Sequence, residues 1–280
     1  MKLQTALRLG RVSNLPTVWT NALAGAELAG GAGAGTVLAA AVALSLFYVG
    51  GMWLNDAFDA EIDTRERAGR PIPQGDVDRG TVFAGGFAFL GAGVVAGFAL
   101  GLRAGAVALA LAAAIVAYDW LHKRGASGPA IMGAVRLLAY AFGGVAAGGF
   151  TAALVLGAVG LFAHVVGLTY AARQEAYDRI DRAWPLAVLA VPLIYALFRA
   201  ADTPPALVFW LALAVATAVA LGFLFRRARG DVPRAVVTLI AAISLYDATL
   251  IAAAGHFGLG LLAALGFALT LALQRLVSGT

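Results

Sequence analysis

Apolar residues run along this 280-residue chain in long blocks, separated by short polar breaks. A helix needs roughly 17–25 apolar residues to cross a bilayer. On that measure the blocks predict spans near 16–34, 36–54, 81–100, 104–121, 128–149, 152–172, 185–200, 206–225, 234–254 and 258–275. No segment sustains the period-two alternation of a strand, and only helices or closed barrels satisfy their backbone groups in lipid. The pattern therefore predicts an all-α fold: a polytopic membrane helical bundle of nine to ten transmembrane helices, with residues 1–280 forming a single domain. The first block reaches spanning length without a clear cleavage site, so it reads as the first membrane helix and not as a removed signal.

Composition sharpens this picture. Hydrophobic residues make up 61% of the chain and charged residues 12%, with a mean hydropathy of +0.87, values that belong to a membrane protein. The 35 glycines suit close packing of membrane helices, where small residues let backbones approach. Cysteine is absent, which removes disulfides, thiolate metal sites and cysteine nucleophiles together. The net charge of +5 comes from arginines and lysines in alternate loops. Arg65, Arg67, Arg70, Arg79, Lys123, Arg124, Arg173, Arg179, Arg182, Arg226, Arg227, Arg229 and Arg234 fall on one side with the basic amino terminus and Arg275. By the positive-inside rule that side, with both termini, is cytoplasmic. The charge thus reflects topology and binding to anionic lipid or phosphate, with no nucleic-acid partner implied. The expected location is the inner (cytoplasmic) membrane of a bacterium.

The long polar breaks at 55–80 and 173–184 lie on that same side, and function is expected there. In the first, Asn55, Asp56, Asp59 and Asp63 fall within an arc of about 100° on a helix, while Glu61 points to roughly the opposite side. Three carboxylates and an amide on one face next to a membrane require a cation. With Arg65, Arg67 and Arg70 immediately downstream, the cluster suits a metal diphosphate. In the second, Gln174, Asp178 and Asp181 lie within about 60° of one another, flanked by Arg173 and Glu175. This weaker face is also compatible with an ordinary charged helix end carrying a Glu175–Arg179 pair.

Other signals carry less. The glycines of 30–35 lack a preceding strand and a lysine, so they are not a nucleotide loop. His122, His164 and His256 show no metal-ligand spacing and are expected in core or interfacial roles. Arg136 lies within a span, where an arginine faces a polar cavity or a partner carboxylate. Asp119 and Asp247 are candidates for that partner or for lining the cavity. Asn14 and Asn21 are expected either to face the cavity or to bond between helices.

The motif Asn55-Asp56-x-x-Asp59-x-x-x-Asp63, followed by Arg70-Pro71-Ile72-Pro73, resembles the first aspartate-rich motif of the UbiA superfamily of intramembrane prenyltransferases. The segment Arg173 to Asp178 falls where that family has its second motif. Tyr118-x-x-x-His122-Lys123-Arg124 resembles its segment after the fourth helix, and Gly133 to Arg136 its G-x-x-R in the fifth. Residues 9–25 are similar to the EboC-like branch. The resemblance implies a helical bundle around a central cavity, with Mg²⁺ holding a prenyl diphosphate and a prenyl group passing to a hydrophobic, aromatic or other lipid-soluble acceptor. On this reading the metal residues are Asn55, Asp59, Asp63, Gln174, Glu175 and Asp178, and the catalytic carboxylates are Asp56, Asp59, Asp63 and Asp178. The diphosphate and its allylic carbon would meet Arg65, Arg67, Arg70, Lys123, Arg124, Arg136, Arg173, Tyr118 and Tyr170. Mg²⁺ and the cationic side chains would draw electrons from the departing diphosphate, and the tyrosine rings would shield the carbocation. Alternatives are an isoprenoid lipid transporter or flippase, and a catalytically degenerate isoprenoid-binding membrane protein. A transporter predicts polar residues through the full depth, whereas here they cluster on one side.

Gln174 departs from the family pattern, because an aspartate is usual there and an amide ligates Mg²⁺ without neutralising it. Gln174→Asp is expected to lower the free Mg²⁺ required for prenyl transfer. If Glu175 already ligates, Glu175→Gln is the damaging change. Unaltered Mg²⁺ dependence in both variants would reduce the second stretch to a charged helix end.

Overall fold

The computed structural model describes residues 1–122, 126–173, 182–226 and 228–277. Among the described residues there are helices and turns but no strand. A short amino-terminal helix, α1 (Leu3–Leu9), precedes α2 (Leu15–Leu28) and the long α3 (Ala34–Glu66). Then follow α4 (Arg79–Ala99), α5 (Leu102–Leu121), α6 (Gly128–Ala146) and α7 (Ala152–Ala172). The bundle closes with α8 (Ala190–Ala200), α9 (Pro204–Arg226), α10 (Asp231–Ala253) and α11 (Phe257–Gln274). Eight of these, α3 to α7 and α9 to α11, are long and apolar enough to cross a membrane. The other two expected spans are shorter. α2 has 14 residues, ending six residues before the expected boundary at 34, and Trp184–Ala200 forms one apolar stretch of helix.

Local chemistry sets the helix ends. Pro16 sits in the first turn of α2, where its missing N–H costs no hydrogen bond. Asp78 caps α4 by accepting from the Thr81 backbone N–H at 2.8 Å and from the Thr81 hydroxyl. Those bonds hold its carboxyl below the usual carboxylate range. The Thr151 hydroxyl accepts from Leu154 N at 3.0 Å and donates to Leu28 O at 2.6 Å, fastening the start of α7 to the end of α2. Gly101, at φ 125°, makes the two-residue turn between α4 and α5, a conformation closed to side chains with a Cβ.

Two large apolar cores fill the bundle, and a small third one gathers Leu9, Trp53, Ala57, Val77 and Val82. One joins α3, α4 and α5 with faces of α2 and α6, and the other joins α7 to α10 with the opposite faces of the same two helices. α2 and α6 therefore form the shared wall. α10 is the most enclosed helix, with residues 241–252 buried without interruption. Lipid tails are as apolar as leucine, so association rests on close packing. At Gly25 a Cβ would lie 2.4 Å from Tyr140 O, and at Gly143 2.8 Å from Ala22 O.

The architecture places the polar chemistry at one end. α3 has 33 residues and is about 50 Å long, against a hydrocarbon core of about 30 Å. Its carboxyl-terminal third, Asn55 to Glu66, therefore extends past the apolar layer. At that end the Gln274 amide of α11 donates to Asn14 Oδ1 at 2.5 Å, which puts both ends of the chain on the same side. Gly25→Ala tests the shared wall. The added methyl meets backbone, so a loss of about 1–3 kcal/mol is expected, read as a lower melting temperature of the detergent-solubilised protein.

Candidate active site

The helical arc predicted for the acidic cluster is present in α3. Asn55, Asp56, Asp59 and Asp63 are all buried, whereas the side chain of Glu61 is 82% exposed and pairs with Arg79 at 3.0 Å. Arg79 also donates from Nε to Ala57 O at 2.8 Å. Glu61 and Arg79 thus brace the outside of α3, opposite the site.

Three elements cover the buried face. The turn before α2 supplies Arg11, whose Nη2 donates to Asp56 Oδ1 at 2.9 Å and to Asn55 Oδ1 at 3.4 Å. The loop after α3 supplies Arg70, whose Nη1 lies 3.5 Å from the same Asp56 oxygen. Burial and the adjacent Arg11 charge push the Arg70 guanidinium down to about 10, which leaves it protonated at neutral pH. The end of α5 supplies Asp119 and His122. Asn55 Nδ2 donates to Asp119 Oδ1 at 3.1 Å, and His122 Nε2 lies 3.2 Å from Asp59 Oδ2. The His122 ring stacks on Tyr118 at 4.8 Å between centroids, and its Nδ1 faces Tyr118 O and Asp119 O.

Sequence reasoning did not assign Arg11, Asp119 and His122 to the acidic face. The sequence shows Arg11 only as one charge of the basic amino terminus, offers Asp119 as a partner of Arg136 or a cavity residue, and gives His122 a core or interfacial role. One signal was available for α5. Tyr118 and His122 are four residues apart, so they share a helix face at the end of a span. Nothing in the sequence marks Arg11, because its reach depends on a backbone turn with φ 42° and ψ 47°.

The remaining candidates spread out. Arg65 is exposed and Arg67 partly buried, and the Arg67 backbone N–H closes α3 on Asp63 O at 2.8 Å. Arg173 ends α7, and its charge lies within electrostatic reach of Tyr118. The Tyr170 hydroxyl donates to Arg182 O at 2.7 Å. Lys123, Arg124, Gln174, Glu175 and Asp178 lie outside the described residues.

Arg136 belongs to a second buried network, deeper in the bundle. Its Nη1 donates to Asn21 Oδ1 at 2.9 Å and its Nη2 approaches Thr17 Oγ1 at 3.4 Å. Asn21 Nδ2 donates in turn to Asp247 Oδ2 at 2.8 Å, and the Tyr140 hydroxyl donates to Asp247 Oδ1 at 2.9 Å. The carboxylate partner is thus Asp247, reached through an amide. The network ties α2, α6 and α10 together. The face of the Tyr48 ring, 5.8 Å from the Arg136 guanidinium, links it to the first cluster, because the Tyr48 hydroxyl accepts from Asn14 Nδ2 at 3.1 Å and donates to Arg11 O at 3.4 Å.

Donor chemistry tests whether the first cluster suits Mg²⁺. Among the described residues no three acidic or imidazole side chains converge on one point. Mg²⁺ usually keeps several waters and is bound by one or two carboxylates plus substrate phosphate oxygens. The oxygens present are hard ones, Asp59 and Asp63 together with the buried Oδ2 atoms of Asp56 and Asp119, neither of which has a hydrogen-bond partner among the described residues. Asn55 directs its amide to Asp119 and Arg11, so it orients the cluster.

Comparison with known proteins bears on family and fold. The sequence model of the UbiA prenyltransferase family matches residues 13–229. Digeranylgeranylglyceryl phosphate synthase of Methanothermobacter thermautotrophicus is 34% identical over 123 residues, 44% of this chain and 44% of that protein. The synthase of the same name from Haloquadratum walsbyi is 38% identical over 121 residues, 42% of each chain. The matched stretch spans less than half the length of these relatives. A solved structure concerned with digeranylgeranylglyceryl phosphate synthase in membranes superposes with a TM-score of 0.62 at 19% identity, covering 90% of this chain and 98% of the other. A UbiA homologue from Archaeoglobus fulgidus, solved bound to GPP and Mg²⁺, superposes with a TM-score of 0.55 at 14% identity, covering 97% and 99%. At these identities the two structures show a shared fold.

The second network yields a prediction. Asp247→Ala leaves Arg136 buried without its counter-charge and is expected to cost about 3–5 kcal/mol. Asp247→Asn keeps the shape and one acceptor and should cost less. Thermal unfolding of both variants in detergent measures the difference.

Proposed function

The chain belongs to the UbiA prenyltransferase family, and from that premise we propose that it transfers a prenyl group from an isoprenoid diphosphate to a lipid-soluble acceptor within the membrane, releasing diphosphate. The observation that carries this reading is the buried α3 face, where Asp56, Asp59 and Asp63 stand beside Arg11, Arg70 and His122 at one end of an integral membrane bundle. Neither a solvated helix end nor an apolar core gathers charges of both signs in this way.

The roles follow from charge. Asp59 and Asp63 would hold Mg²⁺, and the family resemblance adds Asp178 and either Gln174 or Glu175 of the second stretch as further ligands. Bound there, Mg²⁺ supplies electrophilic assistance to departure of the diphosphate. Arg70 holds negative charge on the leaving group, with Arg65, Arg67, Lys123 and Arg124 of the same membrane side as further cations. Asn55 and Asp119 fix the orientation of α3 against α5. The Tyr118 ring, stacked on His122, offers a π face to the allylic carbon as its bond to oxygen breaks. The acceptor oxygen or carbon then attacks that carbon and loses a proton.

The names of the two archaeal relatives support a polar-headed isoprenoid as one acceptor to test, alongside aromatic acceptors. The distribution of arginines supports a cytoplasmic site with both termini on that side. A panel of isoprenoid diphosphates and acceptors, supplied to membranes containing the protein and read by mass spectrometry, would identify the substrates. On the pair so found, Asp59→Asn or Asp63→Asn is expected to reduce prenyl transfer by at least about 100-fold while expression and folding persist. Wild-type turnover in either variant, or undiminished turnover in excess chelator, would overturn the metal role.

A further inference from the structure

A relay of hydrogen bonds runs from α11 to the acidic face. Gln274 Nε2 donates to Asn14 Oδ1 at 2.5 Å, joining residues 260 positions apart. Asn14 Nδ2 donates to the Tyr48 hydroxyl at 3.1 Å, and that hydroxyl donates to Arg11 O at 3.4 Å. Arg11 in turn reaches Asp56 Oδ1 through Nη2 at 2.9 Å.

Chemistry fixes the direction of this relay. A carbonyl oxygen only accepts, so Tyr48 must donate to Arg11 O and its own oxygen must accept from Asn14. The Asn14 atom beside Tyr48 is therefore the amide nitrogen, and its oxygen turns to position 274. A donor is required there. Gln274 supplies one, whereas a carboxylate or an apolar side chain would not.

The relay ends on a backbone that has to be held. Arg11 adopts φ 42°, and among the described residues it alone has positive φ without being a glycine. A residue with a Cβ keeps such a conformation only where its surroundings over-determine it. Arg11 O accepts both the Tyr48 hydroxyl and the Asn14 backbone N–H, the latter at 3.1 Å. α11 packs on α2, α9, α10 and the turn Val12–Asn14, which makes that turn its link to the acidic face.

We propose that Gln274 is a positioning residue for the acidic site, acting through Asn14 and Tyr48 to hold the turn of residues 10–14 so that Arg11 stays on Asp56. When the turn loosens, the buried Asp56 carboxylate loses counter-charge and the site becomes more negative toward an anionic substrate. This consequence rests on the prenyltransferase reading above.

The bland alternative is that Gln274 only fastens α11 to the bundle. Full-length protein in nanodiscs is compared as wild type, Gln274→Met, Gln274→Lys, Tyr48→Phe and the Gln274→Met, Tyr48→Phe double variant. Methionine removes the donor at nearly equal size, lysine keeps a donor, and phenylalanine removes the hydroxyl while keeping the ring that faces Arg136. Hydrogen exchange read by mass spectrometry follows the backbone amides of residues 10–14, and kinetics on the prenyl diphosphate give KM and kcat. Gln274→Met is expected to speed exchange in the turn by at least about fivefold. It should raise KM by a similar factor and change kcat by less than about twofold. Gln274→Lys should stay close to wild type. The double variant should match Tyr48→Phe alone, because both changes cut one relay.

Unchanged exchange in the turn of Gln274→Met, faster exchange with an unchanged KM, or additive effects in the double variant would overturn the proposal. So would Gln274→Lys proving as damaging as Gln274→Met. If Gln274→Met does not fold, Tyr48→Phe carries the test, and wild-type exchange and KM in that variant overturn the proposal equally. If the wild type transfers no prenyl group from any diphosphate in the panel, the prenyltransferase reading fails, and exchange in residues 10–14 alone decides whether Gln274 holds the turn. If the wild type transfers prenyl groups and the Gln274 variants match it in exchange and KM, only the present inference fails.

Discussion

Burying like charges is the constraint around which this molecule is organised. Asp56, Asp59 and Asp63 lie within two turns of α3, all enclosed, and each carboxylate raises the cost of ionising the next. Such a face persists only with cations against it. The chain brings them from two separate places, Arg11 from the turn before α2 and Arg70 from the loop after α3, and the end of α5 adds His122, whose Nε2 lies 3.2 Å from Asp59. The elements that carry these groups must therefore meet at one end of the bundle. The length of α3 makes this possible, because a shorter helix would leave the acidic turns inside the hydrocarbon layer.

Beneath the site, the bundle is held by means that suit lipid. Glycines 25 and 143 let α2 and α6 approach until a single methyl would collide with a backbone carbonyl. Across the same wall runs the chain from Arg136 through Asn21 to Asp247 and Tyr140. A buried charge network of this kind adds little net stability. What it does provide is a fixed register among α2, α6 and α10, since sliding any of them would leave an arginine or a carboxylate without its partner. Through Tyr48 and Asn14 the network also touches the turn that presents Arg11. The packing of the deep bundle and the geometry of the site are thus mechanically continuous.

The site shows why family membership and chemistry are separate arguments. The match over residues 13–229 establishes ancestry and fold, and a fold alone does not specify a reaction. The chemistry rests on charges of both signs gathered where a prenyl diphosphate, with a polar head and an apolar tail, would lie across the membrane boundary. Mg²⁺ fits that setting because it is satisfied by few protein oxygens when phosphate supplies the rest.

Much of this was legible in the sequence because membranes and helices impose simple periodicities. Span length follows from bilayer thickness, so eight of the ten expected crossings appear as full-length helices. Helical periodicity alone placed Asn55, Asp56, Asp59 and Asp63 on one side and Glu61 on the other. The shortness of α2 was not legible, because its end depends on contacts with α6 and α7 and on the Thr151 hydroxyl that receives it. Nor could the sequence pair Asp119 with Asn55, 64 residues away, or choose between Asp119 and Asp247 as the counterpart of Arg136. Arg11 is the sharpest case, since its sequence context shows only a basic residue before a membrane helix. The sequence determined which residues share a helix face, because that depends on local geometry. The tertiary structure decided which faces meet and which arginine reaches which carboxylate, because those distances are set by the packing of helices remote from one another in the chain.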